Sequence, residues 1–120
     1  MADLGKMLLE EYKVIKSRKE NIQEGSYTCY LFSKGLDKIL KKIGEEATET
    51  IIAAKNEDKK DIVGEICDLI FHTEVMMAEK DITWEDVAEE LSKRRVKENM
   101  NVEKEAKRKA ENRTDECNIN

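Results

Sequence analysis

Acidic residues are abundant in this chain of 120 residues, with 27 Asp and Glu in all, so composition alone singles out none of them. Spacing does. The segment EEATE brings together Glu45, Glu46 and Glu49, and the segment EICD brings together Glu65 and Asp68. Glu46–Glu49 is the single ExxE of the sequence and Glu65–Asp68 its single ExxD. A separation of three puts two side chains on one helix face, with Cβ atoms about 5–6 Å apart. That geometry suits two carboxylates sharing a cation. Converging carboxylates repel one another and hold protons more tightly, and a hard divalent cation removes the conflict. All-oxygen ligation points to Mg²⁺, with Mn²⁺ as a substitute, rather than to zinc. Mg²⁺ prefers to share its ligands with phosphates, so an acidic rim is a means for an acidic protein to hold a nucleotide's phosphate chain. The competing reading of each acid is an exposed glutamate paired with a lysine. An EExxE and an ExxD on consecutive helices, each beside an apolar stripe, favour the metal site. The number of ions stays open.

Two further side chains lie on the same edges. Lys42 stands four residues before Glu46, a spacing that suits an ion pair with it; contact with phosphate oxygens is the other reading. His72, the only histidine, falls one turn past Asp68. A lone helical histidine is either a packed side chain or a support for neighbouring metal ligands.

Helices must position these groups. Leu4, Leu8, Tyr12 and Ile15 recur at helical spacing, which predicts a first helix over about residues 3–20. QEGSYT interrupts it, with Ser26 as a cap, and the short apolar piece YTCYLFS ends near Gly35. Leu36, Ile39, Leu40, Ile43, Ala47, Thr50, Ile51 and Ala54 form one stripe over five turns. A turn over Lys55–Asp58 leads to a further helix ending near Glu79, with Ile62, Val63, Ile66, Leu69, Ile70, Thr73 and Met77 as its stripe. Cys67, Phe71 and Val75 are apolar on the opposite side of that helix. A helix apolar on two faces is buried on two faces. The second face meets either another subunit or the first helix of the same chain. Thr83 caps a last helix, with Trp84, Val87, Ala88 and Leu91 as its inner stripe. Beyond Arg95 the pattern fades. The division expected is therefore an all-α domain over 1–95 and a polar tail over 96–120, helical or disordered.

Composition narrows the class. Charged residues are 41%, hydrophobic residues 39% and aromatic residues 5%, and proline is absent. Long helices are unimpeded, but the core of a monomer this polar is thin, so a helical bundle completed by homodimerisation is expected. A net charge of −5 argues against a nucleic-acid partner. No apolar run is long enough to cross a bilayer, and the first residues lack the pattern of a signal peptide. Cys29, Cys67 and Cys117 make no zinc or disulfide pattern and are expected reduced, in the cytoplasm.

Taken together, SYTCYLFSKGLDKILKKIGEEATETIIAAKN and GEICDLIFH closely resemble the phosphoribosyl-ATP pyrophosphohydrolases of histidine biosynthesis. These belong to the all-α, MazG-like nucleotide pyrophosphohydrolases, whose signature is EExxE followed by ExxD. The resemblance covers about residues 26–95. It implies a homodimer that cleaves phosphoribosyl-ATP between the α- and β-phosphates, giving phosphoribosyl-AMP and pyrophosphate. Carried onto this chain, the metal ligands are Glu46, Glu49, Glu65 and Asp68. Glu45 completes EExxE and orients or deprotonates the water. Lys38 and Lys42 match the basic positions that meet phosphate. Phe71 replaces a frequent tyrosine, so that hydroxyl's role is missing. Two alternatives bear testing: a related enzyme that clears non-standard nucleoside triphosphates, and a non-catalytic helical dimerisation module.

Overall fold

The structure, a computed structural model, describes the backbone of residues 1–118 and the side chains of residues 1–113. Cys117 therefore lies outside the described side chains; Cys29 and Cys67 are free thiols. Five helices follow in order: α1 Leu4–Glu20, α2 Tyr27–Lys34, α3 Leu36–Asn56, α4 Lys59–Glu79 and α5 Trp84–Asn118. The described residues contain no strand, so the chain is all-α. Compact packing divides it into two units, Met1–Trp84 and the remainder from Glu85.

Local chemistry sets the boundaries in the first unit. Asp3 caps α1 by accepting from Lys6 N at 3.2 Å, and Ser26 caps α2 by accepting from Cys29 N at 3.2 Å. Gly35 ends α2 and begins α3 at φ +93°, a conformation that only glycine adopts without strain. Glu57, in the left-handed region at φ 61°, ends α3. Asp58 then caps α4 by accepting from Lys60 N and Asp61 N. With only Glu57 and Asp58 between them, α3 and α4 fold back on each other as the main hairpin, and α1 and α2 pack along it.

The core is small: Ile15, Leu31, Ile39, Val75 and Ala78, with Tyr12, Phe32, Ile43, Phe71 and Met76 packed around it. Val75 and Phe71 thus serve the interior of their own chain, against α1 and α2. Of the two readings of that second face, the intrachain one is observed for Phe71 and Val75, while Cys67 is exposed. The other stripe of the hairpin is partly uncovered: Leu40 and Ile51 on α3, and Val63 and Ile66 on α4, are exposed. The reason is supply, since two short layers on one side of the hairpin leave nothing to cover the other. The end of α4 is tied to α1 by the Tyr12 hydroxyl, which donates to the Ile82 carbonyl at 2.7 Å, and by a 2.6 Å ion pair between Lys16 and Asp81.

Glu74 is fully buried on α4. Trp84 Nε1 donates to its Oε2 at 2.9 Å, and no donor among the described residues reaches Oε1. Burial first, then the neighbouring Glu11 carboxyl, pushes its pKa up to about 8. The group is therefore largely protonated at neutral pH.

In the second unit, α5 is a long polar helix. Glu89 pairs with Lys93, Glu90 with Arg94 and Glu105 with Arg108 along its surface. Every described side chain from Ala88 onward is exposed. Ala88 and Leu91, expected on an inner stripe, are exposed along this helix.

Candidate active site

The acidic edges of the hairpin meet. Glu46 and Glu49 on α3 and Glu65 on α4 each bring a carboxylate oxygen within 4.8 Å of the others. The turn at Glu57–Asp58 makes this possible by folding the ExxE edge onto the ExxD edge. Glu46 is buried, Glu65 half-buried and Glu49 exposed, so the group runs from the hairpin interior out to solvent rather than lying inside the core. Glu46 Oε2 and Glu65 Oε2 are both shielded from solvent and have no hydrogen-bond partner among the described residues. Two orphaned buried carboxylate oxygens are costly unless a cation takes them.

The electrostatics agree with the geometry. Burial, then the nearby Glu49 and Glu46 carboxyls, pushes the Glu65 pKa up to about 7. Glu46 is also raised, first by burial and then by Glu49 and Asp68, while the neighbouring Glu65 works the other way. These are the marks of carboxylates crowded without a counter-charge. The donor set is all carboxylate oxygen, which suits a hard divalent cation and not a soft one.

The other expected residues surround this group without joining it. The Asp68 side chain is exposed and outside the close set, though it raises Glu46 electrostatically; its backbone carbonyl accepts from His72 Nδ1 at 2.7 Å. Glu45 is ion-paired with Lys42 at 3.1 Å, and that bond holds its carboxyl below the usual range. Lys42 thus pairs with Glu45, not with Glu46 as its spacing suggested. Lys38 is half-buried and adds to the positive field on Glu45. His72 is buried, with Phe71 edge-on at 5.1 Å between ring centroids.

One residue near the site escaped the sequence reading. The Tyr27 hydroxyl lies 2.9 Å from His72 Nε2 and within electrostatic reach of Lys42, Glu45 and Glu46. Burial raises its pKa above the usual tyrosine value. The contact spans α2 and α4, and no local pattern announces it.

Comparison with known proteins identifies the family. The family model described as phosphoribosyl-ATP pyrophosphohydrolase matches residues 9–95. The chain belongs to that family. A phosphoribosyl-ATP pyrophosphatase of Clostridium novyi is 55% identical over 103 residues, covering 86% of this chain and 92% of that protein. One from Clostridium acetobutylicum is 55% identical over 95 residues, covering 79% and 86%. The histidine biosynthesis bifunctional protein HisIE of Oceanobacillus iheyensis is 58% identical over 82 residues, which are 68% of this chain and 38% of that protein. As a phosphoribosyl-ATP pyrophosphohydrolase, the chain is a hydrolase of histidine biosynthesis with a small-molecule nucleotide substrate. No described helix is long and apolar enough to cross a membrane.

Proposed function

We propose that the acidic cluster between α3 and α4 is where phosphoribosyl-ATP is hydrolysed between its α- and β-phosphates, releasing phosphoribosyl-AMP and pyrophosphate. The observation that carries this is the meeting of Glu46, Glu49 and Glu65 with two buried carboxylate oxygens left unpartnered. Those three, completed by Asp68, would hold Mg²⁺, with Mn²⁺ as a substitute. Bound there, the ion would offset the charge of the phosphates and lower the pKa of a water. Lys42, half-buried beside Glu45, and Lys38 contact the phosphate chain. Glu45 is ionised and tied to Lys42, and its lowered proton affinity suits it to orient the attacking water more than to remove its proton. His72 supports the site by fixing the backbone at Asp68.

The site belongs to an expected domain of residues 1–95, with 96–120 as a polar tail, in a cytoplasmic protein. A homodimer completes the fold: Leu40, Ile51, Val63 and Ile66 give the hairpin an uncovered apolar stripe, and each such side chain contributes roughly 1.5–3 kcal/mol when fully buried. Sedimentation at micromolar concentration tests this, and a monomer refutes it. The functional reading is tested by turnover of phosphoribosyl-ATP against a panel of deoxynucleoside triphosphates, with and without Mg²⁺. Preference for the panel would show a nucleotide-clearing enzyme instead. No turnover and no Mg²⁺ binding would show a non-catalytic helical module.

A further inference from the structure

Two tyrosines on α2 stay nearly half exposed although their rings are ordered against each other. Tyr27 is 45% exposed and Tyr30 43%. They stand three residues apart on one helix face, with ring centroids 6.1 Å apart and planes 23° from parallel. Tyr27 is fixed from α4. Its hydroxyl meets His72 Nε2 at 2.9 Å, Phe71 stacks on its ring at 6.1 Å, and His72 meets it edge-on at 5.7 Å. His72 is itself buried and held, because its Nδ1 lies 2.7 Å from the Asp68 carbonyl oxygen, which can only accept. An unbroken chain of contacts thus runs from the turn of α4 that carries Asp68 to a pair of exposed aromatic faces. Along α4, His72 lies about 10 Å past Glu65, at about 1.5 Å per residue. A ribose separates a purine from its α-phosphate by a span of the same order. Every nucleobase has a π-face, and stacking on an aromatic side chain holds it without needing a hydrogen bond. Lys34 Nζ lies 5.7 Å from the Tyr30 centroid. Lys34 is exposed, and a cation over an exposed ring is held more weakly than a stacked base, so the lysine yields that face.

We propose that Tyr27 and Tyr30 form the subsite that stacks the purine of phosphoribosyl-ATP while the acidic cluster holds its phosphates. Tyr30 supplies the open face. Tyr27, locked by His72 and Phe71, keeps that face in place. The subsite adds affinity for the base and takes no part in breaking the phosphoanhydride. The inference rests on the acidic cluster as the reaction centre.

Two measurements test it. The first is binding of phosphoribosyl-AMP, which keeps the purine and lacks the pyrophosphate, to the full chain in chelator. The chain has three tyrosines, so their ring NMR signals are few. The signals of Tyr27 and Tyr30 should move upfield under the purine. Those of Tyr12, whose hydroxyl is bound to the Ile82 carbonyl on another side of the core, should stay. No movement of either α2 ring at millimolar phosphoribosyl-AMP overturns the inference. Rings that shift on protein dilution and not with phosphoribosyl-AMP show a subunit contact there instead. The second measurement is steady-state kinetics with phosphoribosyl-ATP and saturating Mg²⁺. Tyr30→Ala should raise KM roughly 5- to 150-fold, the worth of one stacked base, and change kcat by less than about two-fold. Tyr30→Phe, which keeps the aromatic face, should recover most of that loss. Circular dichroism should show the helices of Tyr30→Ala retained, since that ring is largely outside the core. A loss that Tyr30→Phe does not recover, or an equal fall in kcat and kcat/KM, contradicts stacking. If Glu49→Gln slows hydrolysis while Tyr30→Ala leaves KM unchanged, the inference fails alone. If Glu49→Gln matches the wild type at limiting Mg²⁺, the reading of the acidic cluster fails and takes the inference with it.

Discussion

Replacing Glu74 by Gln should make the protein more stable at neutral and alkaline pH and leave it unchanged in mild acid. Glu74 is fully buried, and its pKa is raised from 4.5 to about 8, first by burial and then by Glu11. A carboxyl with a raised folded-state pKa binds more protons folded than unfolded, so it costs stability as pH rises. Its favourable contribution is complete below about 4.5 and is lost progressively up to about 8. Each pH unit inside that window is worth about 1.4 kcal/mol. Between about pH 5 and pH 7 the loss is therefore roughly 2–3 kcal/mol, a large share of a small domain's stability. Glutamine cannot ionise. Its carbonyl oxygen can still accept from Trp84 Nε1, and its amide can donate to Glu11, so it keeps the contacts of the protonated acid. Glu46 and Glu65 are also raised and destabilise in the same direction. The difference between variant and wild type isolates Glu74. Urea unfolding at fixed protein concentration, in chelator, at four pH values from about 5 to 8, reads it out. The gap should open steadily with pH. A gap that is constant with pH would refute the argument, because it would mean that Glu74 is ionised in the folded state or finds a donor there.

Three other outcomes follow from the same structure. Ile39→Ala, which empties a fully buried position in the small core, should cost about 2–5 kcal/mol in urea unfolding. Gly35→Ala should cost about 1–3 kcal/mol despite open space around its Cβ, because the penalty comes from φ +93°; circular dichroism should show the helices retained. Mg²⁺ binding to the wild type should release a proton near neutral pH, since Glu65 titrates at about 7, so the apparent affinity should weaken about ten-fold from pH 8 to pH 6 in calorimetry.

Much of this was legible in the sequence, for identifiable reasons. The stripe from Leu36 to Ala54 and the one from Ile62 to Met77 are long and regular, and the cap Ser26 uses a side chain with a strong local preference. Helical spacing alone places Glu46 beside Glu49, and a two-residue turn then folds Glu65 onto them. What escaped depends on contacts distant in sequence. Tyr27 and His72 are 45 residues apart, and nothing near either one marks the pair. Glu74 reads as one more surface acid among many; only the arrival of α1 and Trp84 buries it. Periodicity found the two apolar faces of α4, but which one α1 covers is a matter of tertiary packing, and Phe71 and Val75 turned inward within the chain. Lys42 has glutamates at both three and four residues' distance, and side-chain geometry, not spacing, chose Glu45.

The central claim is that the meeting point of Glu46, Glu49 and Glu65 is the reaction centre. The most direct measurement is the release of pyrophosphate from phosphoribosyl-ATP at limiting Mg²⁺, by the wild type and by Glu49→Gln. Glu49 is exposed, so its amide should leave the fold intact. The wild type should release pyrophosphate with no orthophosphate as a primary product. The variant should lose most of that rate and regain part of it at high Mg²⁺. A Glu49→Gln protein that matches the wild type at limiting Mg²⁺ would contradict the account.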